Sequence, residues 1–149
     1  MALQFKLVSE FVPLGIRAFE LVTPAILNPL NVNPLVMGEF LELAGYKMQR
    51  GSGDSEVPTA CYYQSQGSYD VQGLGKGPFL FMGPYEADTK IMNPTDLAEN
   101  MALMVTDVDM GGGILKRGLA KWTATHHIIG YVTRLPADNN GYLRFRRND

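Results

Sequence analysis

His127-Ile-Ile-Gly-Tyr-Val-Thr133, then Asn139-Asn-Gly141, then Tyr142-Leu-Arg-Phe-Arg146 carry the clearest structural signal in the chain. The first run is rich in β-branched residues, which suit a pleated and half-buried surface. Asn and Gly both accept positive φ, so Asn-Gly between two such runs signals a hairpin. The two C-terminal runs are therefore expected to pair. In the second run, period 2 turns Phe145 inward and Arg144 and Arg146 outward.

Upstream, the same alternation of short runs and turns continues. Arg17-Ala-Phe-Glu-Leu-Val-Thr23 reads as a strand stopped by Pro24. Asn28-Pro-Leu-Asn-Val-Asn-Pro34 holds two prolines and three asparagines, which exclude regular helix and favour an extended, turn-rich connection. Gly38–Leu43 and Tyr46–Arg50 form an expected hairpin around Ala44-Gly45, packed by Phe40 and Tyr46. Gly51-Ser-Gly-Asp-Ser-Glu56 reads as an exposed, mobile loop. Thr59–Ser65, Phe79–Met82 and Met101–Thr106 are further strand candidates. Asn93–Asn100 is the best helical candidate, with Asn93 as cap and Pro94 in the first turn. Gly111-Gly-Gly113 is a turn.

Many short strands without a βαβ rhythm define the class. The expected fold is mainly β: a small β-barrel or β-sandwich with short helical turns and an extended N-terminal segment. Residues 1–16 are an N-terminal arm or the first strand, and residues 17–149 a single β domain. Phe5, Leu7, Phe11, Val12 and Leu14 make the first segment unusually apolar, yet Pro13 and Gly15 interrupt it. An arm would bury these side chains on a neighbouring subunit, and could do so by adding a strand to its sheet edge. Removing Met1–Gly15 is then expected to spare folding and impair attachment.

The whole chain sets the bounds. A chain of 149 residues can bury about 70% of its unfolded surface, so it needs no metal or disulfide to hold a core. At 46% hydrophobic and 19% charged it has a globular composition. Cys61 is the single cysteine, which excludes an internal disulfide and suggests a buried small side chain in a chain made in a reducing compartment. No apolar run reaches the roughly 20 residues of a membrane span, and the N-terminus lacks the unbroken apolar centre of a signal peptide. The net charge of −2 is unevenly distributed. Residues 1–112 carry 6 basic and 13 acidic side chains, and residues 113–149 carry 7 basic and 2 acidic. Should that polarity persist in space, neighbouring copies would attract.

Each apparent chemical motif lacks a required part. Gly73-Leu-Gly-Lys-Gly77 has no Ser or Thr after Lys76 and no helix to follow, so it reads as a turn rather than a phosphate loop. Asp107-Val-Asp-Met-Gly111 opens like a calcium loop, but Gly111 and Gly118 stand where oxygen ligands are needed. His126 and His127 are adjacent, so on a strand they would point to opposite faces and would not chelate one metal. Cys61 has no local partner that would activate a thiol. Glu86 and Asp88 read as loop carboxylates facing a cation such as Arg134 or Arg144. Arg144-Phe-Arg-Arg147 reads as a terminal strand rather than a nucleic-acid patch. The expectation is a non-enzymatic chain with no cofactor, no metal, no nucleic acid and no membrane.

The order of segments resembles a known group. Gly38-Glu-Phe-Leu-Glu-Leu43, Gly67-Ser-Tyr-Asp-Val-Gln72, Tyr85-Glu-Ala-Asp88, Gly130-Tyr-Val-Thr-Arg-Leu-Pro136 and Gly141-Tyr-Leu-Arg-Phe145 follow a Pro/Asn-rich segment. This resembles small structural proteins of tailed bacteriophages, particularly capsid decoration (cement) proteins, over roughly residues 35–146. The resemblance implies a compact β domain on the outside of an icosahedral head, made in the host cytoplasm. It implies a homo-oligomer, with a trimer favoured, clamping the major capsid protein. Phe5, Leu7, Phe11, Val12, Arg144 and Arg146 are then the expected assembly interface. Two other readings stay open. One is a tail-tube, head–tail connector or other virion subunit. The other is a small-molecule or carbohydrate binding module using Tyr62, Tyr63, Tyr69 and Trp122.

Overall fold

A computed structural model of the chain describes residues 4–10, 16–63, 75–80 and 83–147. Among these residues, eleven strands form two sheets in which every strand pairing is antiparallel. The strands are β1 (Phe5–Glu10), β2 (Ile16–Glu20), β3 (Phe40–Ala44), β4 (Lys47–Gln49), β5 (Thr59–Tyr62) and β6 (Lys76–Leu80). They continue with β7 (Tyr85–Thr89), β8 (Ala102–Asp109), β9 (Leu115–Lys121), β10 (Gly130–Arg134) and β11 (Leu143–Arg147). The large sheet runs β1-β7-β11-β10-β8-β9, and the small sheet runs β2-β6-β5-β3-β4. The result is a β-sandwich. The edges of the small sheet approach each other at a single parallel bridge, Leu21 to Met48, without closing into a barrel.

The main core lies between the sheets. Phe5, Tyr85, Leu103, Val105, Leu119, Val132 and Phe145 from the large sheet meet Phe40, Cys61 and Leu80 from the small one. Burying each large side chain contributes about 1.5–3 kcal/mol. The small sheet is also covered on its other face. Successive strand residues point to opposite faces, so Leu41, Ala60, Tyr62 and Phe79 form a second core beside their inward neighbours. Leu21, Leu27 and Leu35 cover it. This two-faced burial explains why all four residues of β5 are buried.

The C-terminal hairpin reading holds: β10 pairs with β11, and Asn140 and Gly141 both take positive φ. Phe145 is fully buried, with Arg144 half-buried and Arg146 exposed. Several local expectations change. Tyr46 is 73% exposed in the β3–β4 turn instead of packing. Residues 93–100 form turns and no helix: Asn93 Oδ1 accepts from the Thr95 N–H as a cap would, but Asp96 and Asn100 take positive φ, which breaks a right-handed helix. The described helical residues are two short 3-10 turns, Pro24–Leu27 and Pro136–Asp138. Gly77 and Pro78 lie within β6 rather than in a turn, and His126 and His127 precede β10 rather than entering it. Glu86 and Asp88 stand on β7, not on a loop. Loop 51–56 is tied down: Ser55 is buried and bonds Val105 O, and Gly53 N–H donates to Asp107 Oδ2.

Candidate functional site

A buried ion cluster joins the two sheets at one end, and a loop projects from it. Glu39, just before β3, has no exposed surface. A carboxylate without water needs donors on its lone pairs. Oε1 accepts from Arg50 Nε at 3.0 Å and from Arg117 N–H at 3.1 Å. Oε2 accepts from Arg50 Nη2 at 2.8 Å and from Val36 N–H at 2.9 Å. Lys116 Nζ adds a second cation 3.9 Å from Oε2. Arg117, also buried, donates through Nη1 to Asp107 Oδ1 at 2.8 Å and to Gly53 O at 2.6 Å. Burial pulls Lys116 below its ordinary pKa of 10.5; Glu39 opposes that pull and Arg50 adds to it.

The cations of this cluster hold the Pro/Asn-rich loop at its base. Arg50 Nη1 donates to Asn33 O at 2.9 Å, and Lys116 Nζ donates to Pro34 O. Asn33 Nδ2 reaches Leu115 O at 2.9 Å. The loop then organises itself through asparagine side chains. Asn28 Oδ1 accepts from Leu30 N–H, and Asn31 Oδ1 accepts from Asn33 N–H, both at 2.9 Å. Leu27 and Leu35, at either end, are buried in the second core. Leu30 and Val32 point away from it, 89% and 91% exposed. Single exposed aliphatic residues are ordinary, but two fully presented on a loop this constrained form a candidate docking surface.

The residues expected at an interface fall elsewhere. Phe5 is wholly buried in the main core against Tyr63 and Phe145, so its side chain is closed to a partner in this fold. Leu7 is partly buried against the same core. Phe11 and Val12 lie outside the described residues. Arg144 is bound bidentately by Asp88 at 2.9 and 3.2 Å, and Arg146 pairs with Glu86 at 3.3 Å. The expected contact of these carboxylates with Arg144 is met at Asp88, whereas Glu86 takes Arg146, and both arginines are engaged within the chain. Arg147, one residue on, turns inward and donates to Thr59 O of the small sheet at 2.7 Å.

The other candidate groups are placed as follows. Cys61 is buried, and that burial pushes its thiol far up. Tyr62 lies in the second core, which removes it as a ligand platform. Trp122 is half-buried and donates its indole N–H to His126 O at 2.8 Å. Tyr69 and residues 67–72 are outside the described set. Among the described residues, no group of three or more His, Cys, Asp or Glu side chains is arranged to hold a metal ion, and no helix is long and apolar enough to cross a membrane. Sequence reasoning missed Leu30, Val32, Glu39, Arg50, Lys116 and Arg117. A signal for the loop was available in Asn28-Pro-Leu-Asn-Val-Asn-Pro34, where each exposed aliphatic stands beside a turn-forming asparagine.

The fold and this site define a two-sheet β-sandwich that presents a constrained apolar loop. No protein-family model, curated protein or solved structure matches the chain.

Proposed function

We propose that this chain is a non-enzymatic structural subunit of a tailed-bacteriophage particle. In this reading it is a decoration protein, docking on the outer face of the head and stabilising the shell of major capsid proteins, with a trimer as the favoured oligomer. The observation that carries the docking half is the loop that holds Leu30 and Val32 at 89% and 91% exposure. A backbone already fixed by hydrogen bonds loses less entropy on binding, which suits an interface anchor. The virion half rests on the resemblance of the segment order between residues 35 and 146.

The test mixes the purified chain with expanded phage heads that lack a decoration protein. Co-sedimentation, followed by density at fixed positions on the head surface, is the expected result. A chain that stays monomeric and leaves such heads bare sinks the proposal. Rings or tubes in electron micrographs move the subunit to the tail or connector instead.

A further inference from the structure

We infer that the outer face of the large sheet binds an acidic segment of a protein partner, through Lys6, Lys90 and Arg134 arrayed around the Asp88–Arg144 pair. This face is separate from the loop at 28–34, and the inference does not depend on which particle the chain belongs to. It starts from register. β1, β7, β11 and β10 are consecutive in the sheet, and Lys6, Asp88, Arg144 and Arg134 are aligned across them. The neighbours Phe5, Ala87, Phe145 and Val132 are fully buried, so period 2 turns this row outward. Three cations and one carboxylate thus stand side by side over three strand spacings, about 14 Å. Lys90 adds a fourth cation beside them. Its Nζ and that of Lys6 lie 4.8 and 4.2 Å from the centre of the Tyr142 ring.

Only one of these cations finds its counter-charge within the chain. Asp88 is occupied by Arg144 Nε and Nη2 and by Asn139 Nδ2. Lys6 stands opposite Asp88 in register, yet its ammonium lies over the Tyr142 ring instead. That contact holds a lysine in place without neutralising it. Among the described residues, no carboxylate stands within salt-bridge distance of Lys6, Lys90 or Arg134. Arg134 is exposed and directly opposite Arg144, and like charges so placed destabilise a sheet. The other arginines of this sheet are matched, Arg146 with Glu86 and Arg117 with Asp107. Four cations against one carboxylate, in a chain whose net charge is −2, are a local conflict of the kind that marks a binding face.

An acidic segment supplies the counter-charge in matching form. On an extended chain, alternate side chains project to one side about 7 Å apart, so three carboxylates span the row. The guanidinium fork of Arg134 offers a carboxylate two parallel N–H donors, and the lysines act as point charges. A long polyanion such as DNA would run past the row onto the rest of a chain that is net acidic, and would be repelled there.

The test titrates the labelled full chain with an acetylated hexaglutamate peptide and follows the amides by NMR. Shifts around Lys6, Lys90, Arg134 and Tyr142 are expected, with affinity falling as salt is raised, because exposed charges are screened. Lys6→Gln with Lys90→Gln is expected to weaken binding about fivefold. Should that double variant not fold, Arg134→Gln is read instead, with a loss of about threefold and a thermal midpoint no lower than wild type. No shifts, shifts elsewhere, or unchanged affinity in the variants overturn the inference. A lower midpoint in Arg134→Gln overturns it too, because Arg134 then serves the fold. Inorganic phosphate that binds the same residues as tightly makes the row a site for any small anion, and a DNA duplex that binds them more tightly makes it a nucleic-acid face. Self-association that Arg134→Gln abolishes gives the face to a second copy. Each of these three results overturns the acidic partner.

Discussion

Glu39 is a buried carboxylate, and four donors meet its two oxygens. Removing one member of such a set strands the others. Glu39→Gln leaves Arg50 and Lys116 without their counter-charge and is expected to cost about 3–5 kcal/mol, seen as a lower urea midpoint. An unchanged midpoint would mean that water reaches the cluster. Lys116 supplies a pH signature. Its folded pKa lies below the 10.5 of the free side chain, chiefly through burial. Between the lowered value and 10.5 the unfolded chain binds more protons than the folded one. Stability from this group therefore rises with pH through that window, and the penalty is present in full below it. The difference between wild type and Lys116→Met, followed by urea denaturation from pH 8 upward, should show that rise; parallel curves would refute it. These residues were illegible in the sequence for a physical reason. Lys116-Arg117 reads as solvated surface, because burial of a cation depends on carboxylates supplied from elsewhere in the chain. Glu39 stands 78 residues away from Arg117.

Strands were legible wherever a β-branched or apolar run met a turn residue, as in β3, β8 and the β10–β11 hairpin. They were not legible where function of the fold overrode composition. β7, Tyr-Glu-Ala-Asp-Thr, carries two acids because its outward face meets the arginines of β11. β9, Leu-Lys-Arg-Gly-Leu-Ala-Lys, hides its signal behind the buried cations and Gly118. That glycine serves close packing. A Cβ at Gly118 would sit 2.2 Å from the Ile91 carbonyl oxygen, where residues 91–93 cover the edge of β9 through Leu119 N–H to Ile91 O and Asn93 N–H to Leu119 O. Gly118→Ala must push that cover away and is expected to cost at least about 1–3 kcal/mol. A thermal midpoint equal to wild type would show that the edge yields freely. The loop at 28–34 was half legible: its prolines and asparagines excluded helix, but which of its residues face the second core is a tertiary fact.

Across the whole molecule, the acid-rich first part and the base-rich last part of the sequence do not become two poles. The fold pairs them instead, Asp88 with Arg144, Glu86 with Arg146, Asp107 with Arg117 and Glu39 with Lys116. Attraction between neighbouring copies through that polarity therefore loses its basis. The N-terminal segment changes role in a similar way. Residues 5–10 pair with β7 in the chain's own sheet, and Phe5 is core. Phe5→Ala is accordingly expected to cost about 3–5 kcal/mol, and deletion of residues 1–15 to lower the thermal midpoint rather than spare it. A truncated chain as stable as wild type would restore the arm. The order of the large sheet has one more outcome. β11 sits between β7 and β10, so without it the sheet falls into two pieces, β1-β7 and β10-β8-β9. All strands of the small sheet have been made by Leu80. During synthesis one layer of the sandwich can be laid down early, while the other waits, unzipped and with its apolar face unmatched, until residue 147 has left the ribosome.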